Sequence, residues 1–175
     1  MLSPLPAALC VAALSCGLTA QSASFAPFGS ASGETFTGQQ IQTAGLPQLG
    51  TTFSLGVSHA IPPFFCLQVL TPYAVWLALG TSKQAWLGVP LPAALPLGFD
   101  LLVSVDSVSQ TLIFNTTSCP PGATGAFPSP FAVTVPNQPG LIGFQVHAQI
   151  LMARLGALAG TPPIATNGVT VTVGF

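Results

Sequence analysis

Between positions 141 and 152 the chain alternates apolar and polar side chains for longer than anywhere else. Ile142, Phe144, Val146, Ala148 and Ile150 hold the even positions, and Gly143, Gln145, His147 and Gln149 the odd ones. A period of two belongs to a half-buried β-strand, because successive Cβ atoms leave a strand on opposite sides. Wound as a helix, the same residues place Gln145 and Gln149 beside Phe144 and Ala148, and no apolar stripe forms. The stretch is predicted to be a strand with a core face and a solvent face. Just before it, Val135-Pro136-Asn137-Gln138-Pro139-Gly140 carries two fixed φ angles, a turn-favouring Asn and a Gly free to take positive φ. The chain is expected to reverse there between two strands, 131–135 and 141–152.

The same alternation recurs at 51–58, where Phe53, Leu55 and Val57 face one way, and at 168–175, where Val169, Val171, Val173 and Phe175 alternate with Thr170, Thr172 and Gly174. Further strands are expected at 35–43, 64–70 and 73–79, and a hairpin of 99–105 with 110–115 about Asp106-Ser107. The span 61–80 is apolar throughout, but Pro62, Pro63, Pro72 and Gln68 make it a pair of buried strands rather than a membrane helix. Eighteen Pro and eighteen Gly without a period fit short strands and tight turns, not long helices. The proline-spaced connector 89–96 cannot be a central strand and is expected to cover a sheet edge. Positions 151–159 admit a helical turn or two, which Gly156 weakens. About nine strands at such spacing predict an all-β fold, an antiparallel β-sandwich of jelly-roll or Ig-like kind, formed by one domain over 21–175.

Residues 1–20 read as an export signal: an apolar run through Leu9 and Leu14 is followed by small residues, with cleavage after Ala20 or, alternatively, Ala23. Cys16 then leaves with the signal. Cys66 and Cys119 remain, and an even count in an oxidising compartment favours a disulfide over two buried thiols. Such a bridge is worth roughly 4 kcal/mol in the chain-entropy model.

Charge is nearly absent: Glu34, Lys83, Asp100, Asp106 and Arg154 are the whole inventory. That excludes a basic footprint for nucleic acid or for an anionic membrane surface. Catalytic chemistry has few parts to work with. His59 and His147 lack metal-ligand spacing, Asp106 reads as a turn residue and Asp100 as a strand-end side chain, and Ser30 and Ser32 flank an alanine where a nucleophile elbow needs serine. No cofactor fingerprint is present. Candidate ligand contacts are Gln145, His147 and Gln149 on the polar strand face, together with Trp86 in a polar loop; Trp76, between Val75 and Leu77, is expected in the core.

The segments Gly45-Leu46-Pro47-Gln48-Leu49-Gly50-Thr51-Thr52-Phe53, Leu79-Gly80-Thr81-Ser82, Pro90-Leu91-Pro92, Val135-Pro136-Asn137 with Leu141-Ile142-Gly143, and Thr166-Asn167-Gly168-Val169 resemble uncharacterised exported β-sheet proteins of planctomycete-type bacteria. The resemblance spans most of the mature chain and implies export and a small all-β domain, with no site residue carried over. The expected function is that of a non-catalytic secreted or cell-surface structural or interaction module, in contact with neutral glycans or other β-domains. The alternatives are a small outer-membrane β-barrel and, more remotely, a hydrolase on a β-sandwich.

Overall fold

The computed structural model describes residues 21–33, 40–60, 71–115, 124–126, 131–155 and 163–175. The signal segment, Cys66, Cys119 and the strand expected at 64–70 lie outside them. In chain order the strands are β1 (Ser24–Phe28), β2 (Ser32–Gly33), β3 (Gln40–Ala44), β4 (Thr52–Ala60), β5 (Thr71–Gly80), β6 (Ala85–Trp86), β7 (Val89–Pro90), β8 (Ala93–Ala94), β9 (Asp100–Leu101), β10 (Ser107–Asn115), β11 (Thr124–Ala126), β12 (Phe131–Thr134), β13 (Gln145–Arg154), β14 (Ile164–Ala165) and β15 (Gly168–Thr172). A single 3-10 turn, Pro139–Leu141, is the only helical element among the described residues. No described helix is long and apolar enough to cross a membrane.

The fold is all-β, built from several antiparallel sheets, and none of them closes into a barrel among the described residues. The larger main sheet is organised around β13. One side of β13 pairs with β5, which pairs in turn with β10; the other side pairs with β15 and, further along, with β14. Beyond these lie β1, paired with β15, and β2, paired with β14. The smaller main sheet is β4 with β3 on one side and β11 and β12 on the other. Between the two sheets lies one apolar core, in which Val75, Leu77, Ala148, Ile150, Met152, Val169 and Val171 meet Ile41, Phe53, Leu55, Val57 and Phe131. Alternation along each strand fills this face, as the sequence predicts.

The turn at 135–140 lies between two strands, β12 and β13, and carries the chain from one sheet to the other, since β12 pairs with β4 and β13 with β5. Four expectations are corrected. First, β13 starts at Gln145 rather than Leu141, because the 3-10 turn Pro139–Leu141 precedes it. Second, Asp106-Ser107 does not join paired strands. β10 pairs with β5, and the intervening 81–106 is an excursion carrying the small pairs β6–β7 and β8–β9. Third, Leu151 to Arg154 continues β13 instead of turning helical, because its backbone is taken up by β5 and β14. Fourth, Trp76 is half-buried on the face opposite Val75 and Leu77, outside the core, because alternation sends it there.

The excursion explains a larger difference. Phe99, Leu101, Leu102, Val103 and Ser104 are buried, and Leu102 and Val103 pack on Ala78 from the second face of the larger sheet. The proline-rich connector thus belongs to a cover over a sheet face rather than over an edge. Beneath it, His147, Gln149, Thr170 and Thr172 are buried, so β13 and β15 are dry on both sides over much of their length. Gly80, where the excursion leaves β5, lies so close to the backbone of Ser104 that any Cβ there would collide with it.

A candidate ligand groove at the sheet break

The outer columns of the larger sheet are interrupted at the same level. β14 and β15 are separated by Thr166-Asn167, and β1 and β2 by Gly29, Ser30 and Ala31. Gly29 has φ of 65°, a left-handed conformation that suits glycine. Side chains replace the missing ladder. The Thr166 hydroxyl accepts the Ile150 N–H (3.0 Å) and donates to the Asn167 carbonyl (2.8 Å). Asn167 Oδ1 accepts the Ile41 N–H at 2.9 Å, which ties the smaller sheet to the break, and its Nδ2 donates to the Gly168 carbonyl at 3.2 Å.

Gln149, fully buried, braces the cover against this point. Its Nε2 donates to the carbonyls of Asp100 (2.9 Å) and Thr166 (3.0 Å), and its Oε1 accepts the Leu102 N–H (2.9 Å). The Asp100 N–H reaches the Ser32 hydroxyl at 2.7 Å. A buried amide with its donors and acceptor engaged is a structural element; freeing it for a ligand would leave backbone groups unpaired.

His147 is also withdrawn from solvent. It is 6% exposed, its Nδ1 lies 3.0 Å from the Thr170 hydroxyl, and the Phe28 ring meets it edge-on with centroids 5.8 Å apart. Burial lowers its pKa below the ordinary value of 6.5, and the positive charge of Lys83 lowers it further. The Lys83 ammonium itself sits 5.3 Å from the centre of the Phe28 ring. At the base of the excursion, the Asp106 carboxylate takes up the Thr81 hydroxyl and N–H, both at 2.7 Å, and the Ser104 hydroxyl at 3.2 Å. The Thr81 hydroxyl and then its N–H hold the Asp106 pKa below the usual carboxylate value, against a smaller opposing effect of desolvation.

Of the four predicted contacts, Gln145 alone is exposed, with its amide 3.4 Å from the Thr172 hydroxyl. Trp86 is half-buried in the β6–β7 pair, opposite Val89. They do not converge with His147 and Gln149 on one open site. His59 lies on β4, in the other sheet from His147. No group of three His, Cys, Asp or Glu among the described residues is placed to hold a metal.

What the structure does open is a groove of about 540 Å³ beside the break, lined by Pro27, Phe28, Gly29, Ser30, Ala31, Gln40 and Asn167. It offers one aromatic ring, a hydroxyl, two amides, of which that of Asn167 is already bonded to Ile41 and Gly168, and backbone groups, with no charged side chain in its lining. Sequence reading missed it because a groove at a strand interruption has no period. The local signs were Pro27-Phe28-Gly29 and Thr166-Asn167-Gly168, each a turn signal set between strand patterns.

Comparison with family models, with characterised proteins and with solved structures finds no match for this chain.

Proposed function

We propose that the chain is an exported, non-catalytic interaction module, a β-sandwich of two facing sheets that receives neutral partners, either glycans or other β-domains. The observation that carries this reading is where its polar side chains are spent. His147, Gln149, Thr166, Asn167 and Asp106 are engaged in holding the sheet break and the cover, while the open groove is uncharged. A ring flanked by amide and hydroxyl groups suits a neutral sugar, which offers an apolar face and a rim of hydroxyls.

The Cys66–Cys119 bridge belongs to the same proposal. Thr71 and Asn115 are paired at the end of the β5–β10 ladder, so the chain runs toward both cysteines from adjacent points, five residues from one and four from the other. That anchoring lies within the reach of a disulfide.

The test is glycan retention by protein expressed without residues 1–20 in an oxidising compartment, compared with Phe28→Ala, Gln40→Ala and Trp86→Ala. Retention lost with Phe28→Ala or Gln40→Ala, at unchanged circular dichroism, supports the groove. Loss with Trp86→Ala alone moves the contact to the excursion. Absence of retention for the parent protein across neutral glycans removes the glycan half of the reading.

A further inference from the structure

The two outer edges of the larger sheet are finished differently. On one side, β1 contains Pro27, stops at Phe28 and is followed by a strand of two residues. Such interruptions discourage a foreign strand from pairing. On the other side, β10 runs for 9 residues, Ser-Val-Ser-Gln-Thr-Leu-Ile-Phe-Asn, with no proline and no charge, and pairs only with β5 among the described residues. It is long, regular and chemically unprotected. Val108 and Leu112 are 52% and 53% exposed, on the same face as the half-buried Trp76.

The pattern along β10 is also self-complementary about Gln110. One residue away on either side stand hydroxyls, Ser109 and Thr111; two residues away stand aliphatics, Val108 and Leu112. A two-fold axis through an antiparallel strand pair imposes that symmetry, because position 110 + n of one copy then faces 110 − n of the other. Val108 would meet the partner's Leu112, Ser109 the partner's Thr111, and Gln110 its own counterpart, where amides can bond to each other. A strand without charge meets its copy with no like-charge repulsion.

From this we infer that β10 pairs with β10 of a second copy, antiparallel and centred on Gln110, so that the two larger sheets become one continuous sheet. The inference deepens the reading of the chain as an interaction module with β-domain partners, and names the partner as the chain itself. Backbone hydrogen bonds along the edge supply affinity, and the Val108–Leu112 contacts fix the register.

The experiment is sedimentation equilibrium of protein expressed without residues 1–20, from low to high micromolar concentration. The expected result is a monomer–dimer equilibrium whose dissociation constant rises at least about tenfold in Gln110→Lys, where two like charges meet on the axis, and stays unchanged in Thr43→Lys on the exposed edge of β3. In parallel, Gln110→Cys should give an interchain disulfide under mild oxidation that the parent chain does not form. A monomer at every concentration with no Gln110→Cys cross-link overturns the inference, as does a dimer indifferent to Gln110→Lys. A folded monomer that still retains glycan would sink self-pairing alone. A dimer with hydrolytic activity would instead sink the non-catalytic reading and leave the pairing standing.

Discussion

On one face of β13, Ala148, Ile150 and Met152 are buried among aliphatic side chains of both sheets; on the other, His147 and Gln149 are buried as deeply among hydroxyls, amides and carbonyls. The first face is held by a force without direction, so neighbouring side chains can shift to accommodate a change of shape. The second is held by donors and acceptors that must meet at defined points. The difference teaches that burial here has two meanings: the apolar face supplies most of the stability, and the polar face decides where the cover sits and how the broken column is joined.

A large effect that separates the faces is expected on the apolar one. Ile150→Ala should lower unfolding free energy by about 2–5 kcal/mol, seen as a reduced denaturant midpoint, because Ile150 is fully buried and its neighbours cannot fully close the cavity. On the polar face, Gln149→Leu keeps the size but orphans the Leu102 N–H and the carbonyls of Asp100 and Thr166, each such group costing about 1–3 kcal/mol if it stays dry. Its signature should be local as well as global: the Leu102 amide should lose protection from hydrogen exchange while core amides of β4 keep theirs. An equal loss of protection at both places would mean that the two faces form one unit.

A smaller effect should follow pH. Because the folded state depresses the His147 pKa, the unfolded chain takes up a proton that the folded chain resists. The stability contributed by neutral His147 is therefore present above about 6.5 and is lost progressively as pH falls below it toward the folded value. Asp106 has the ordinary carboxylate sign: its contribution is present above the ordinary value of 3.8 and is lost as pH falls through its lower folded pKa. His147→Asn should flatten the first decline and leave the second, as read by thermal melts between about pH 2 and 8.

The smallest change lies outside both faces. Leu87, 84% exposed at the β6–β7 turn, has φ of 49°, and Gly88 beside it has φ of 81°. Leucine is a poor choice for a left-handed turn position, so Leu87→Asn should raise stability by up to about 1 kcal/mol and move no other residue. A larger gain would show that the excursion's outer turn is coupled to the cover.

Much of the sheet structure was legible. Alternation marked β4, β13 and β15, an apolar run marked β5, and alternation put Phe53, Leu55, Val57, Ala148 and Ile150 on one core face. What alternation reports is that two faces differ in polarity, not that the polar one is wet. Gln149 and Thr170 were read as outward-facing because their partners are remote: Gln149 bonds to Leu102, 47 positions away, inside an excursion whose path no local pattern encodes. The prolines at 90, 92 and 96 did announce a covering segment, but they restrict φ without saying which surface is covered. Strand partners were similarly beyond reach. Turn chemistry at Pro136 to Gly140 signals a reversal, and a crossing between sheets uses the same residues as a hairpin. The candidate groove escaped for a further reason. It is made where two columns stop pairing, and Asn167, which closes it, bonds to Ile41, 126 positions away.

The pairing of β1 with β15 sets an order in time. The first strand among the described residues is paired with the last, and β15 lies between β1 and β13. β1 therefore lacks its partner until every other described strand has been synthesised, and closing so long a separation makes for slow acquisition of the final structure.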